Sequence, residues 1–275
     1  MENQHTITSQ TKAALLIVNL LFLLLTSTCL FGQSSVDKGK ALYQSKKYQE
    51  AEKVFEAVPE KAGEYAAARY YLGRIAFDKK EYDDAADYFE EATEANSNNG
   101  DYFNWLGDTY AAIGKDANIF KQMSVGPKAL RAWEKATELD AKNINARVSL
   151  VGNYLLAPAF MGGGEDKAKA VGSEALVLLD EALKASPDNY LYHYWYGKSS
   201  ALIGLKLDRG EASLKKYLTH TPLGDEPSLA AAYMRLGQIK EKQGNKTEAK
   251  KNFELAVKMD DSLEQAKEGL ERTSK

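Results

Sequence analysis

Glycines at positions 39, 73 and 107 stand 34 residues apart, and each is followed by the same arrangement of apolar residues. Twelve residues after Gly39 comes Ala51, then Phe55 and Val58; twelve after Gly73 comes Ala85, then Phe89 and Ala92. The arrangement returns near the end of the chain as Gly237, Ala249, Phe253 and Ala256. A fixed period of this kind calls for stacked copies of one supersecondary unit, none of which can bury its apolar face alone. Within a unit, apolar residues at i, i+4 and i+7 make one face of a helix, so each period holds two helices. The segment YFNWLGDTYAAIG, residues 102–114, shows the first helix, and YDDAADYFEEATEAN, residues 82–96, shows the second.

At these residues the chain resembles the tetratricopeptide repeat family, whose unit carries a Leu-Gly pair, an aromatic three further on, then Ala, an aromatic, Ala and often Pro. The matching residues are Leu106-Gly107 with Tyr110, Ala129 with Trp133 and Ala136, and Ala175 with Leu179, Ala182 and Pro187. The small residues stand where two helices approach closely, and the large one fills the gap between them. Tight helix contacts are accordingly expected at Ala85, Ala136, Ala182 and Ala249. First-helix markers at Gly39, Gly73, Gly107, Val151, Gly197 and Gly237 give six units over residues 34–261. The fifth reads its second helix as Gly210, Leu214 and Tyr217 before Pro222, and SLEQAKEGLERTSK after Asp261 reads as a capping helix. The resemblance implies an all-α, right-handed α-solenoid of about six helix-turn-helix repeats over residues 33–275.

The period is interrupted in the middle. From Gly107 to Ala129 is 22 residues and from Val151 to Ala175 is 24, where twelve is expected, so the third and fourth units carry insertions at the turn between their helices. The fourth-unit insertion contains LLAPAFMGGGEDKAKA, residues 155–170. A phosphate-cradling loop needs Gly-x4-Gly-Lys-Ser/Thr after a strand, whereas Gly164 is followed by Glu165 in a helical context. The segment instead reads as a turn: Pro158 stops one helix, the glycines relax the chain, and Glu165-Asp166 suit the next helix N-terminus.

Residues 1–32 differ from everything after them. Lys12 precedes an apolar run over residues 13–25 interrupted only by Asn19, followed by TSTC and LFGQ. That order is expected of a secretory signal cleaved after Gly32, leaving Gln33 as the mature N-terminus and an exported, periplasmic or outer-membrane-associated protein. An uncleaved anchor is the alternative, because residues 13–31 approach the length of a membrane span. Lipidation at Cys29, the only cysteine, is a third outcome, although Thr26, Ser27 and Thr28 depart from the bacterial lipobox. Membrane association is expected only through such a retained signal or lipid.

Chemistry is scarce. Net charge is −3 with no long basic block, so nucleic acid is not an expected partner. His5, His193 and His220 have no metal-ligand spacing, and neither a Gly-x-Ser-x-Gly elbow nor a His-Glu-x-x-His stretch occurs. No catalysis, cofactor or metal is therefore expected. In the resembled family the first helices line a concave groove, and the resemblance places there Lys40, Tyr43 and Gln44, then Tyr70, Arg74, Phe77 and Asp78, then Asn104 and Asp108, then Tyr194 and Lys198, and last Met234, Gln238, Glu241 and Lys242. The family's chaperone-tail clamp does not fit, since Val36, Tyr71, Asp101 and Trp105 hold several of its places. The insertions carry Ile119, Phe120, Met123 and Val125 in one unit and Pro158, Phe160 and Met161 in the next. These two loops are expected to pack on each other, leaving part of Phe120, Phe160 and Met161 as a partner anchor. The function expected is a protein-binding scaffold or assembly factor; the rival readings are a self-assembling structural component and an accessory subunit of an envelope enzyme.

Overall fold

The computed structural model describes residues 34–115, 117–223 and 226–274. The expected signal, Cys29 and the cleavage point before Gln33 lie outside them. Among the described residues are thirteen α-helices, one 3-10 turn and no strand. The helices are α1 (Ser35–Gln44), α2 (Tyr48–Glu56), α3 (Tyr65–Asp78), α4 (Tyr82–Ala95), α5 (Gly100–Lys115), α6 (Ile119–Leu139), α7 (Ile144–Leu156), α8 (Glu165–Ala185), α9 (Tyr190–Ile203), α10 (Leu207–Tyr217), α11 (Leu229–Lys242), α12 (Lys246–Met259) and α13 (Glu264–Ser274). Each odd-numbered helix from α1 to α11 packs on its successor as a pair, and the second helix of a pair packs on the first helix of the next. The last helix, α13, lies against α12 and α11.

The marker glycines explain the pairing. A side chain at Gly39 would reach within 2.4 Å of the Phe55 ring, at Gly73 within 2.8 Å of Phe89, at Gly107 within 2.6 Å of Trp133 and at Gly237 within 2.7 Å of Phe253. The large residue of the second helix thus fills the notch left on the first, and the 34-residue period is the spacing of these contacts. Helix starts follow local chemistry: the side chains of Asn118, Asn143, Asn189, Ser228 and Asn245 each accept a hydrogen bond from the amide three residues on. Ala85, Ala136 and Ala249 are fully buried at helix contacts. Ala182 is only half-buried, and Leu183 turns into the core beside Leu179 and Tyr196 in its place.

The lengthened turns differ from expectation in one respect. Residues 119–125 are not a loop, because α6 begins at Ile119 and runs for 21 residues with Pro127 inside it. Capping by Asn118 and burial of Val125 and Leu130 outweigh the single backbone bond that Pro127 forgoes. The second lengthened turn is a 3-10 turn, Ala159–Met161, and a glycine hairpin ahead of α8. Gly162 has φ of +94°, and a side chain at Gly163 would lie 1.8 Å from the Ala157 carbonyl oxygen, so both positions need glycine. The amides of Gly162, Gly163 and Gly164 bond to the carbonyls of Ala159, Pro158 and Tyr154 at 3.0, 3.2 and 2.8 Å. Those donors are already engaged by the chain itself, as a turn requires and a phosphate cradle does not.

Candidate functional site

The first helices stand beside one another: α1 meets α3, α5 meets α7, α7 meets α9, and α9 meets α11. Side chains connect α3 to α5, with the Tyr70 and Tyr102 rings stacked at 4.9 Å and Phe77 edge-on to Trp105 at 5.3 Å. This shared face is built by a simple register. The residue just after each marker faces the residue two places before the next marker. Lys40 lies 5.7 Å from the centre of the Tyr71 ring, and the Arg74 guanidinium lies 3.8 Å from the centre of the Trp105 ring. Asp108 accepts a hydrogen bond from Ser149 at 3.2 Å. Gly152 holds the fourth such place, with nothing within 4 Å of where its side chain would stand. Lys198 holds the fifth, and the register sets it against Arg235.

The expected groove residues fall into two groups along this face. Tyr43, Tyr70, Arg74 and Phe77 come together in the first three pairs. Arg74 donates to the Tyr70 hydroxyl at 3.0 Å and lies 5.4 Å from the Tyr43 ring, a cation boxed by aromatic faces. The hydroxyls of Tyr43 and Tyr48 both donate to Asp78, at 3.0 and 2.9 Å. The second group centres on Asp108, which accepts from the Trp133 indole at 2.9 Å, from Ser149, and from the Asn104 amide at 3.1 Å. Burial pushes the Asp108 carboxyl up to about 6, against these bonds and the charge of Lys198. Burial likewise pushes the Lys198 amine down to about 8, assisted by Arg235 and opposed by Asp108. Asn104 is 2 % exposed and its side-chain oxygen has no partner.

Tyr194 does not present a ring to the groove. It is 6 % exposed, packs against Tyr217 at 5.2 Å and steadies Arg235 through its hydroxyl. Arg235 otherwise donates to the Gln238 and Gln265 side-chain oxygens, at 2.9 and 3.3 Å. Trp105, Trp133, Ser149 and Arg235 complete the face without having been expected in it. Their signal is positional: three of the four stand two places before a marker, at 105, 149 and 235, and Trp133 is the filler of the Gly107 notch.

At one edge, α6 and the turn after α7 meet in a groove of about 310 Å³ lined by Ile119, Met123, Val125, Leu156, Pro158 and Met161. Met161 is half-buried, its terminal methyl reaching toward Gly126, and Val125 is buried, while Phe120 and Phe160 are 81 % and 80 % exposed. A larger and more polar cavity, about 810 Å³, lies between Glu60, Tyr65 and Glu91, near Tyr102. No group of three metal-binding side chains occurs among the described residues, and none of their helices is long and apolar enough to cross a membrane.

Comparison with known proteins adds a family. Profiles described as tetratricopeptide repeat match residues 36–101, 81–117 and 230–263. No curated protein matches the chain. Among solved structures it is similar to the Cut9–Hcn1 hetero-tetramer of APC/C, with a TM-score of 0.58 and 13% identity, covering 94% of this chain and 46% of that one. It is also similar to Acl4, the assembly chaperone of RpL4, with a TM-score of 0.52, 15% identity and coverage of 88% and 95%. The type IV pilus biogenesis factor PilW aligns with a TM-score of 0.50, 16% identity and coverage of 88% and 97%. Such identities speak to fold alone. The helix pairs, the notch that sets their period and the matching profiles agree: the chain carries tetratricopeptide repeats over residues 36–117 and 230–263, within an all-helical array of the same kind.

Proposed function

We propose that this protein is a non-catalytic scaffold or assembly factor that holds segments of other proteins on the face of its first helices, with the α6 edge as a second contact. The repeat fold supports protein–protein interaction in general. The observation that carries the particular reading is the edge. Ile119, Met123 and Leu156, at 60 %, 49 % and 76 % exposed, line one apolar groove, Phe120 and Phe160, at 81 % and 80 % exposed, are chain neighbours of the lining residues Ile119 and Met161, and apolar exposure of this kind marks an interaction site. The groove face beside it offers aromatic rings and an arginine, residue types that anchor protein partners. The test is affinity capture from the native envelope fraction with the unaltered protein and with Phe120→Ser/Phe160→Ser. The doubly substituted protein should lose the partner while keeping its helical circular-dichroism signal, since both rings are exposed; undiminished capture would reduce the edge to a structural bracket.

Action outside the cytoplasm is part of the same proposal. Its support is Lys12 ahead of the apolar run over residues 13–25. N-terminal sequencing of the native protein should begin at Gln33; a chain beginning at residue 1 would reject cleavage, and an acylated Cys29 terminus would replace it with a lipid anchor.

A further inference from the structure

Two polar side chains stand in the apolar groove at the α6 edge. Ile119, Met123, Leu156 and Met161 supply its apolar wall, and Asn153 from α7 and Lys115 from the end of α5 line it with them. The side-chain oxygen of Asn153 is shielded from water and has no hydrogen-bond partner. Lys115 is exposed and has no carboxylate within 4 Å among the described residues, while Lys121 and Lys128 on α6 are held by Asp83 and Glu90 at 3.1 and 3.5 Å. The volume of about 310 Å³ lies at the foot of the range for small-molecule pockets, about 300–1,000 Å³, and gives room for one large side chain. Each polar group narrows what that side chain is. A cation favours the electron-rich face of an aromatic ring over an aliphatic chain. An amide covered by a purely apolar group loses water and gains no partner, whereas a hydroxyl donates and accepts, and so pairs with the amide whichever end it presents. The methionines suit a ring as well, since a thioether packs favourably against an aromatic edge. Ring and hydroxyl together make a tyrosine.

We infer that the α6 edge groove is a receptor for a tyrosine side chain of the bound protein segment, with its ring against Met123 and Met161 and its hydroxyl on the Asn153 amide. The inference rests on the scaffold reading and names the anchor that its edge selects. The chain does not supply this anchor itself. Residues 1–33, which precede the described ones, contain no tyrosine. All sixteen tyrosines lie among the described residues and each is buried or half-buried, so a second copy has no exposed phenol to offer. The occupant therefore belongs to another protein. Phe120 and Phe160, the exposed chain neighbours of Ile119 and Met161, extend the contact to residues flanking the tyrosine.

The test is an NMR titration of the full chain, isotopically labelled at its methionine methyl groups, with p-cresol, toluene and 3-methylindole, which are the side chains of tyrosine, phenylalanine and tryptophan as free molecules. p-Cresol should shift the methyl signals of Met123 and Met161 and leave that of Met259, exposed on α12, unmoved. It should bind at least about tenfold more tightly than toluene, the ratio expected when a hydrogen bond is made rather than a polar group stranded. Asn153→Leu should abolish that preference, with toluene bound as tightly as before or more so. The comparison of the two probes on the unaltered protein stands without the variant. Equal affinity for p-cresol and toluene would overturn the tyrosine site and leave an apolar anchor, and with it the scaffold reading, in place. Tighter binding of 3-methylindole would overturn tyrosine in favour of tryptophan. No shift of either methyl with any probe would overturn the receptor itself, while the capture experiment with Phe120→Ser/Phe160→Ser decides the scaffold reading independently.

Discussion

Gly107 joins the packing of the fold to the chemistry of its inner face. Its missing side chain makes room for Trp133, and the Trp133 indole then donates to Asp108, the residue next to Gly107. Gly107→Ala would put a methyl 2.6 Å from the indole nitrogen, so the ring must move and the bond to Asp108 must lengthen. The expected loss is about 1–3 kcal/mol in urea denaturation, as for other overpacked contacts, with a change in tryptophan fluorescence. Gly152→Ala is the matched control. Nothing stands within 4 Å of that position, so alanine there should be neutral or stabilising by up to about 1 kcal/mol. Equal losses at both glycines would refute the notch account. Arg74, Asp108 and Lys198 were legible in the sequence because they follow a marker and so inherit its direction. Arg235 and Ser149 were not, because a residue two places before a marker meets the neighbouring pair, and that contact exists only once two pairs are stacked. Tyr194, on α9, faces Tyr217 of its own pair, a contact that the fold of one pair already sets.

At the scale of elements, spacing identified where the period fails but not what fills the gap. The stretch IFKQMSVGP contains Gly126 and Pro127, residue types that disfavour a helix interior. In the folded chain the same residues continue α6 to 21 residues, against 14 for α4 and α12, because Val125, Ala129 and Leu130 are already held in the core. Tertiary burial overrides a local breaker here. The turn after α7 went the other way: its glycines are demanded by backbone geometry, a left-handed angle at Gly162 and a carbonyl against Gly163, and such demands are visible in sequence. The lengthened α6 also changes the nature of the edge. A helix presents Ile119 and Met123 on one face by their i, i+4 spacing, so the groove against Leu156 and Met161 has a rigid wall where two loops would have made a yielding one.

Across the whole molecule, side chains from α5, α9 and α11 converge on one partly buried set of charges, and its effect should be visible in the pH dependence of stability. Asp108 has its folded pKa raised by burial to about 6 from 3.8. Between those values the folded form holds a proton that the unfolded form has lost, so this contribution is full below 3.8 and is lost as pH rises through about 6. Lys198 is lowered by burial to about 8 from 10.5, so the folded form gives up its proton first and stability returns as pH rises from about 8 toward 10.5. Between about 6 and 8 both groups are charged and both penalties stand. The unaltered protein should therefore show a shallow minimum of stability across neutral pH. Lys198→Gln should remove the alkaline rise, and at pH 7 it should be more stable on the order of 1–2 kcal/mol after allowing for solvent at the groove mouth. Asp108→Asn should flatten the slope between about 4 and 6. Thermal melts at intervals across this range read all three curves. A curve without the alkaline rise in the unaltered protein would mean that Lys198 is solvated after all.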